Sequence, residues 1–119
     1  MTDKQREFCG DALFTFLARD YYCNKKHATE RFDHSKINVI VGRMCANGIM
    51  GRIAVGLGII TQWDAHSARK GGGDEFEIFI YKMFQEHGIS HCQEWFANEV
   101  IPYFETHLLN RIISQSQLI

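Results

Sequence analysis

Proline is almost absent: Pro102 stands alone in a chain of 119 residues. A sequence with so few breakers of that kind leaves room for long helices. Strand signals are scarce as well, because apolar residues rarely alternate at period two and helical spacing fits better. No two cysteines have the CxxC spacing, so Cys9, Cys23, Cys45 and Cys92 argue against a zinc ribbon or a thioredoxin-type site. Nothing at the N-terminus resembles a signal peptide, and these cysteines read as buried thiols in a reducing compartment. A basic excess is missing too. The net charge of -1 argues against a general binder of nucleic acid or anionic membrane. The longest uncharged run, Ile53 to Trp63, falls short of the roughly 20 residues that span a bilayer. The C-terminal "LLNRIISQSQLI" carries Arg111 and several polar residues, and does not make a tail anchor. The chain is therefore expected to be soluble, without a transmembrane anchor, and to touch membranes only peripherally. Repeats and low-complexity tracts are absent.

What is present is apolar: 45% hydrophobic and 13% aromatic residues, enough for one packed domain over 1–119. A first helix spans about Asp3 to Cys23, with Phe8, Leu13, Phe16, Leu17 and Tyr21 near helical spacing. "CNKKHATERFDHS" is polar and reads as a connection. Ser35 is positioned to cap a second helix running to about Ala46, in which Ile37, Ile40, Val41 and Met44 follow the i, i+3, i+4, i+7 rule. Asn47-Gly48 reads as its C-cap.

A third helix is expected over about Ile49 to Arg69. Its first turns are apolar nearly all round, which predicts a helix surrounded by others. Gly51, Gly56 and Gly58 would each cost roughly 1 kcal/mol in a helix interior, a sacrifice that close approach of neighbouring backbones would explain. "KGGGD" reads as a break. A fourth helix runs from Asp74 to about Phe96, with Phe76, Phe79, Ile80, Met83 and Phe84 inward and Gly88 as a kink or division. The last covers about Asn98 to Ile113, with Pro102 in its first turn. The architecture is all-α, a bundle around one hydrophobic central helix.

Chemistry-bearing patterns are weak. His87 and His91 share one helix face and Cys92 follows, but two ligands without an HExxH pattern make a poor zinc site, and no metal or cofactor is expected. Asp64 and His66 lie two apart and do not face each other on a helix. "KGGGDE" lacks the lysine and hydroxyl that complete a phosphate loop and reads as a helix–helix linker. The aromatics Phe76, Phe79, Tyr81, Phe84, Trp95, Phe96, Tyr103 and Phe104 read mostly as core. No enzymatic constellation emerges.

Arg52 stands apart. It is expected in the first turn of the apolar helix, where a cation opposes the helix dipole. Either an internal carboxylate answers it or its partner arrives from another molecule.

These residues resemble the Bcl-2 family. The family's first homology motif runs approximately Asp-Gly-x-Asn-Trp-Gly-Arg-Ile, and the matching stretch is "ANGIMGRI", Ala46 to Ile53, in which Gly51, Arg52 and Ile53 agree. Ile49 stands where the family has asparagine and Met50 where it has tryptophan. "AVGLGIITQWDAHSARK" resembles the family's central helix in length and small-residue content. Trp95-Phe96 followed by Asn98 loosely resembles the second motif, Trp-Ile-x-x-Asn-Gly-Gly-Trp, without its Gly-Gly. "REFCGDALFTFLARDYY" resembles the first family helix, and its Gly10-Asp11 also echoes the BH3 motif of the second, although Arg6 stands where BH3 has leucine. The eroded motif and small size are similar to those of compact virus-encoded homologues.

The resemblance implies a Bcl-2-like helical bundle that inhibits apoptosis by binding the BH3 helix of a pro-apoptotic protein, Bim-, Bak- or Bax-like, in a hydrophobic groove. It implies that Arg52 pairs with the BH3 aspartate and that Gly51 leaves room for the ligand backbone. Ile37, Ile40, Val41 and Met44 would form one wall, with Met50 and Ile53 near the floor and Ile49 at the position of the family's asparagine. Ile49 cannot help hold the aspartate as asparagine does, which implies a narrower ligand range. The implied location is the cytoplasm of an infected host cell, peripheral at mitochondria, and a homodimer would cover an apolar groove. The alternatives are a Bcl-2-fold adaptor or homodimeric interaction protein without BH3 binding, and a small metal-binding helical protein.

Overall fold

Thr2 and Gln5 start the first helix by holding each other's backbone. The Thr2 amide donates to Gln5 Oε1 at 2.7 Å and the Gln5 amide donates to Thr2 Oγ1 at 3.1 Å, a reciprocal capping box. From there α1 runs over Asp3–Asn24. The structure, a computed structural model, describes residues 1–24, 33–60 and 71–110. Within them α2 spans His34–Met44, α3 Asn47–Gly56, α4 Gly71–His87, α5 Ile89–Trp95 and α6 Ile101–His107, with a π-helical turn at Phe96–Val100 joining the last two. Every regular element among the described residues is helical.

The helix boundaries follow local chemistry. Asp33, not Ser35, caps α2, accepting the Lys36 amide on Oδ1 at 2.9 Å. Asn47 opens α3 instead of closing α2, which ends at Met44. The expected helix to Arg69 stops at Gly56. Gly58 takes φ +75°, and the Gly58 and Ile59 amides donate to the Val55 and Ala54 carbonyls at 3.0 and 2.8 Å. That double bond pattern closes a helix with a left-handed glycine, so Gly58 is a stop signal and not a packing glycine. Residues 61–70, including Asp64 and His66, lie outside the described residues, as do most of the polar connection after α1 and the end expected for the last helix at Ile113. Gly71–Gly73 belong to α4 and are not a linker.

Gly88, at φ +86°, divides α4 from α5. The π turn answers Pro102. A proline has no N–H for the carbonyl four residues back, and its ring crowds that carbonyl. One extra residue in the preceding turn relieves the clash, and the Ile101 amide instead reaches Phe96 O.

The packing centre is α1 against α4, and α3 also packs against α4. Gly10 makes this possible, since a Cβ there would collide with the Glu77 backbone. Beside it Phe14 meets Phe76 and Phe96 edge-on, at 5.4 and 5.5 Å between ring centres. The core side of α1 is Gly10, Phe14, Leu17, Ala18 and Tyr22. Phe8 and Phe16, expected inward, are exposed: α1 is apolar on two sides, and the side that carries Gly10 can approach α4 most closely. Phe79 on α4 is also partly exposed, at 37%. The expectation of α3 as a surrounded central helix is not met: Met50, Gly51, Ile53 and Ala54 are buried, while Gly48, Arg52, Val55 and Gly56 are exposed. Its outward side carries two glycines, Arg52 and one exposed apolar residue, Val55. No single helix among the described residues is long and apolar enough to cross a membrane, although α2 with Gly48–Gly56, bent by 71°, has the length and composition of a broken span.

Candidate functional site

The motif residues sit on α3, which begins at Asn47, so Arg52 lies in its second turn. That corrects the expected conflict with the helix dipole, which is confined to the terminal turn. Arg52 is exposed, though it is not without a partner in the chain. It borders a surface concavity of about 210 Å³ between α3 and α6, whose other walls are Val55, Tyr103 and Leu108.

Gly56, one turn beyond Arg52, shapes this concavity. A Cβ at Gly56 would collide with the Tyr103 ring, so the glycine lets α6 lay that ring across α3. Tyr103 also packs against His107, with 4.6 Å between ring centres and the rings tilted by 42°. The site is thus a cation at the edge of a shallow apolar and aromatic surface. It can take an apolar group beside an anionic one.

The other residues implied by the resemblance lie mostly inside. Ile40, Met44, Met50 and Ile53 have no exposed surface, and Ile37 and Val41 are buried as well. Gly51 is buried and Ile49 half-buried. The structure therefore brings α2 and α3 together through these side chains, as core, with Arg52 alone of the set exposed. Val55, Tyr103 and Leu108 were missed by sequence reasoning. Val55 could have been found, because it lies three residues from Arg52 on the same helix face; Tyr103 and Leu108 are brought in only by the tertiary fold.

Other ionisable groups have different surroundings. Burial pushes the Glu77 carboxyl up to about 8, reinforced by a hydrogen bond with Asp11 and by the charges of Asp11, Asp74 and Glu7. Burial also pushes the Cys45 and Cys92 thiols up, toward the unreactive form. His87 and His91 stack at 4.5 Å across the Gly88 break and are exposed, while Cys92 is buried. Among the described residues no group of three or more His, Cys, Asp or Glu side chains is placed to hold a metal ion.

No protein-family model matches the chain, no curated protein matches it, and no solved structure matches it.

Proposed function

We propose that this protein is a Bcl-2-like inhibitor of apoptosis. It binds the BH3 helix of a pro-apoptotic partner and thereby sequesters it. The observation that carries this reading is Arg52, within the Gly-Arg-Ile motif, exposed at the rim of the apolar concavity between α3 and α6. A BH3 helix has the complementary pattern, an apolar stripe interrupted by one aspartate. The stripe rests on Val55, Tyr103 and Leu108, and the aspartate takes the guanidinium in a charge-assisted bond. Arg52 exchanges its partner within the chain for the ligand carboxylate. The buried α2 and α3 residues hold this surface in place from beneath. Such a protein acts in the cytoplasm of a host cell, where its Bim-, Bak- or Bax-like targets gather at mitochondria.

The test is calorimetric titration of the chain against peptides carrying the BH3 sequences of Bim-, Bak- and Bax-like proteins. One or a few bind, and Arg52→Ala weakens that binding roughly tenfold to a hundredfold, the loss of one hydrogen bond between charged groups. An affinity unchanged by Arg52→Ala removes this surface from the assignment. If no peptide binds, the inhibitor reading is wrong and the adaptor reading takes its place.

A further inference from the structure

A cleft of about 150 Å³ lies between α1, α5 and the π turn. Its walls are apolar and aromatic, with Leu17 and Tyr21 on α1 and Phe96 and Ala97 on the turn. Tyr21 and Phe96 stand 6.3 Å apart between ring centres. The polar end is Asp20, held by two amides. Asn24 Nδ2 donates to Asp20 Oδ1 at 2.7 Å and to the Asp20 carbonyl at 2.9 Å. Gln93 Nε2 donates to Asp20 Oδ2 at 3.1 Å. None of these residues borders the Arg52 concavity.

Asp20 is the one charged residue of this lining. Both of its hydrogen-bond donors are neutral, and the ion pairs among the described residues leave it out. Arg19, its neighbour in sequence, acts on Cys45 instead. Burial pushes the Tyr21 hydroxyl above its ordinary value and the charge of Glu105 adds to it, so a second carboxylate acts on the same wall. The only donor to Glu105 is again neutral, the Tyr22 hydroxyl at 3.1 Å. Two carboxylates without a cation give the cleft a field that attracts positive charge. We propose that this cleft binds an alkylguanidinium group, with Asp20 as its counter-charge and the Tyr21 ring as its platform.

The choice of guanidinium follows from the acceptors and the walls. A carboxylate has about four acceptor positions. Each Asp20 oxygen takes one amide, which leaves room on each for one of the paired N–H groups of a guanidinium fork. An ammonium lacks that fork and is more strongly hydrated. The flat guanidinium packs on an aromatic face as an ammonium cannot, and its alkyl stem rests on Leu17, Phe96 and the Ala97 methyl. Size agrees as well. An apolar cavity of about 150 Å³ holds a benzene molecule, which is close to ethylguanidinium in bulk. The same chemistry is offered by a small free guanidine and by the arginine side chain of a partner. This inference is independent of the reading of Arg52.

Titration of the full chain with ethylguanidinium chloride, followed by amide proton–nitrogen NMR, tests it. The amides of Tyr21, Gln93 and Ala97 shift and saturate, with a dissociation constant on the order of 1 mM for so small a ligand. Asp20→Asn removes the charge and keeps an oxygen for an amide, and it weakens binding at least tenfold. Ala97→Leu fills the cleft without touching the charge, and it weakens binding as much. Circular dichroism of both variants stays that of the parent. Ethylurea has the same shape without the charge and shifts nothing at the same concentration. A peptide with one arginine between alanines separates the two sources: binding at least as tight as ethylguanidinium assigns the cleft to an arginine of a partner, and weaker binding assigns it to a free guanidine. Ethylguanidinium that leaves these amides unmoved overturns the proposal. So does binding that survives Asp20→Asn or Ala97→Leu, and so does ethylurea or butylammonium that binds as tightly.

Discussion

Replacing Gly10 by alanine adds one methyl group where α1 and α4 touch backbone to backbone. The new Cβ would stand 2.6 Å from the Glu77 carbonyl carbon and 3.0 Å from its Cα, against the roughly 3.5–4.0 Å of ordinary carbon contacts. Glu77 cannot rotate this obstacle away, because it is main chain inside a helix. The helices must separate by about 1 Å. A gap of that size forfeits about a quarter to a half of the dispersion energy across it. Phe14, Leu17, Phe76 and Ile80 are all buried around this contact. A loss of about 0.5–1 kcal/mol from each gives about 3 kcal/mol, the upper range for overpacking a core. Alanine also favours helix over glycine by about 1 kcal/mol, a gain that Gly42→Ala makes without any clash, since nothing lies within 4 Å of a Cβ at Gly42. The difference between the two variants therefore isolates the contact. Urea unfolding followed by circular dichroism should show Gly42→Ala unchanged or slightly stabilised and Gly10→Ala about 3 kcal/mol below it. If the two variants agree within about 0.5 kcal/mol, the close approach of α1 to α4 is not where the fold is held.

Glu77 gives the fold a pH dependence of definite sign: its carboxyl is pushed up to about 8 from an ordinary 4.5, so between those values the folded chain holds a proton that the unfolded chain has released. Stability therefore falls as pH rises through that window, and Glu77→Gln should flatten the slope by up to about 1 kcal/mol per pH unit; identical slopes for parent and variant in urea melts from pH 5 to 8.5 would count against it. Tyr22 is fully buried and its hydroxyl donates to Glu105 Oε2 at 3.1 Å, so Tyr22→Phe should lower stability by about 1–2 kcal/mol without altering the helical spectrum. Asp33→Ala should cost about 1 kcal/mol through the lost cap of α2, whereas Ser35→Ala should stay within about 0.5 kcal/mol in thermal melts; the reverse order would return the cap to Ser35.

Helical class and the extent of α1 were legible in the sequence because they rest on spacing alone. Which side of α1 turns inward was not. Phe8, Phe16, Phe14 and Leu17 are equally apolar, and the choice is made by Gly10, whose missing side chain matters only once α4 is alongside. Ser35 reads as a cap from the sequence, but Asp33, two positions earlier, is the same kind of amide acceptor and is the residue that holds the Lys36 amide. Gly58 could have been recognised. A glycine followed by apolar Ile59, just after an apolar helix, fits a left-handed stop, but hydrophobic continuity outweighed it. Pro102 was placed in a first turn correctly, while the π turn before it depends on how the preceding helix runs into the proline. Arg52 was singled out for its charge in an apolar stretch, and it is exposed; Tyr103 and Leu108, its neighbours, belong to an element about fifty positions away in sequence, which no local pattern connects to it.

The depth at which the proposed helix ligand would seat is decided by energy. Ile40, Met44, Met50 and Ile53 have no exposed surface, and each such side chain contributes about 1.5–3 kcal/mol by being buried. Uncovering all of them to make a deep groove would expose about 6–12 kcal/mol of hydrophobic stabilisation, comparable to the whole folding free energy of a domain this size. A ligand would have to refill every contact to break even. Docking on the concavity bordered by Arg52, Val55, Tyr103 and Leu108, where Arg52 and Val55 are already exposed, costs no such opening. The same apolar residues cannot serve fully as core and as groove wall. The structure commits them to the core. On the proposed reading this leaves the ligand a shallow site with one cation and a few apolar contacts, and the expected binder is selective for a well-placed carboxylate and weak for everything else.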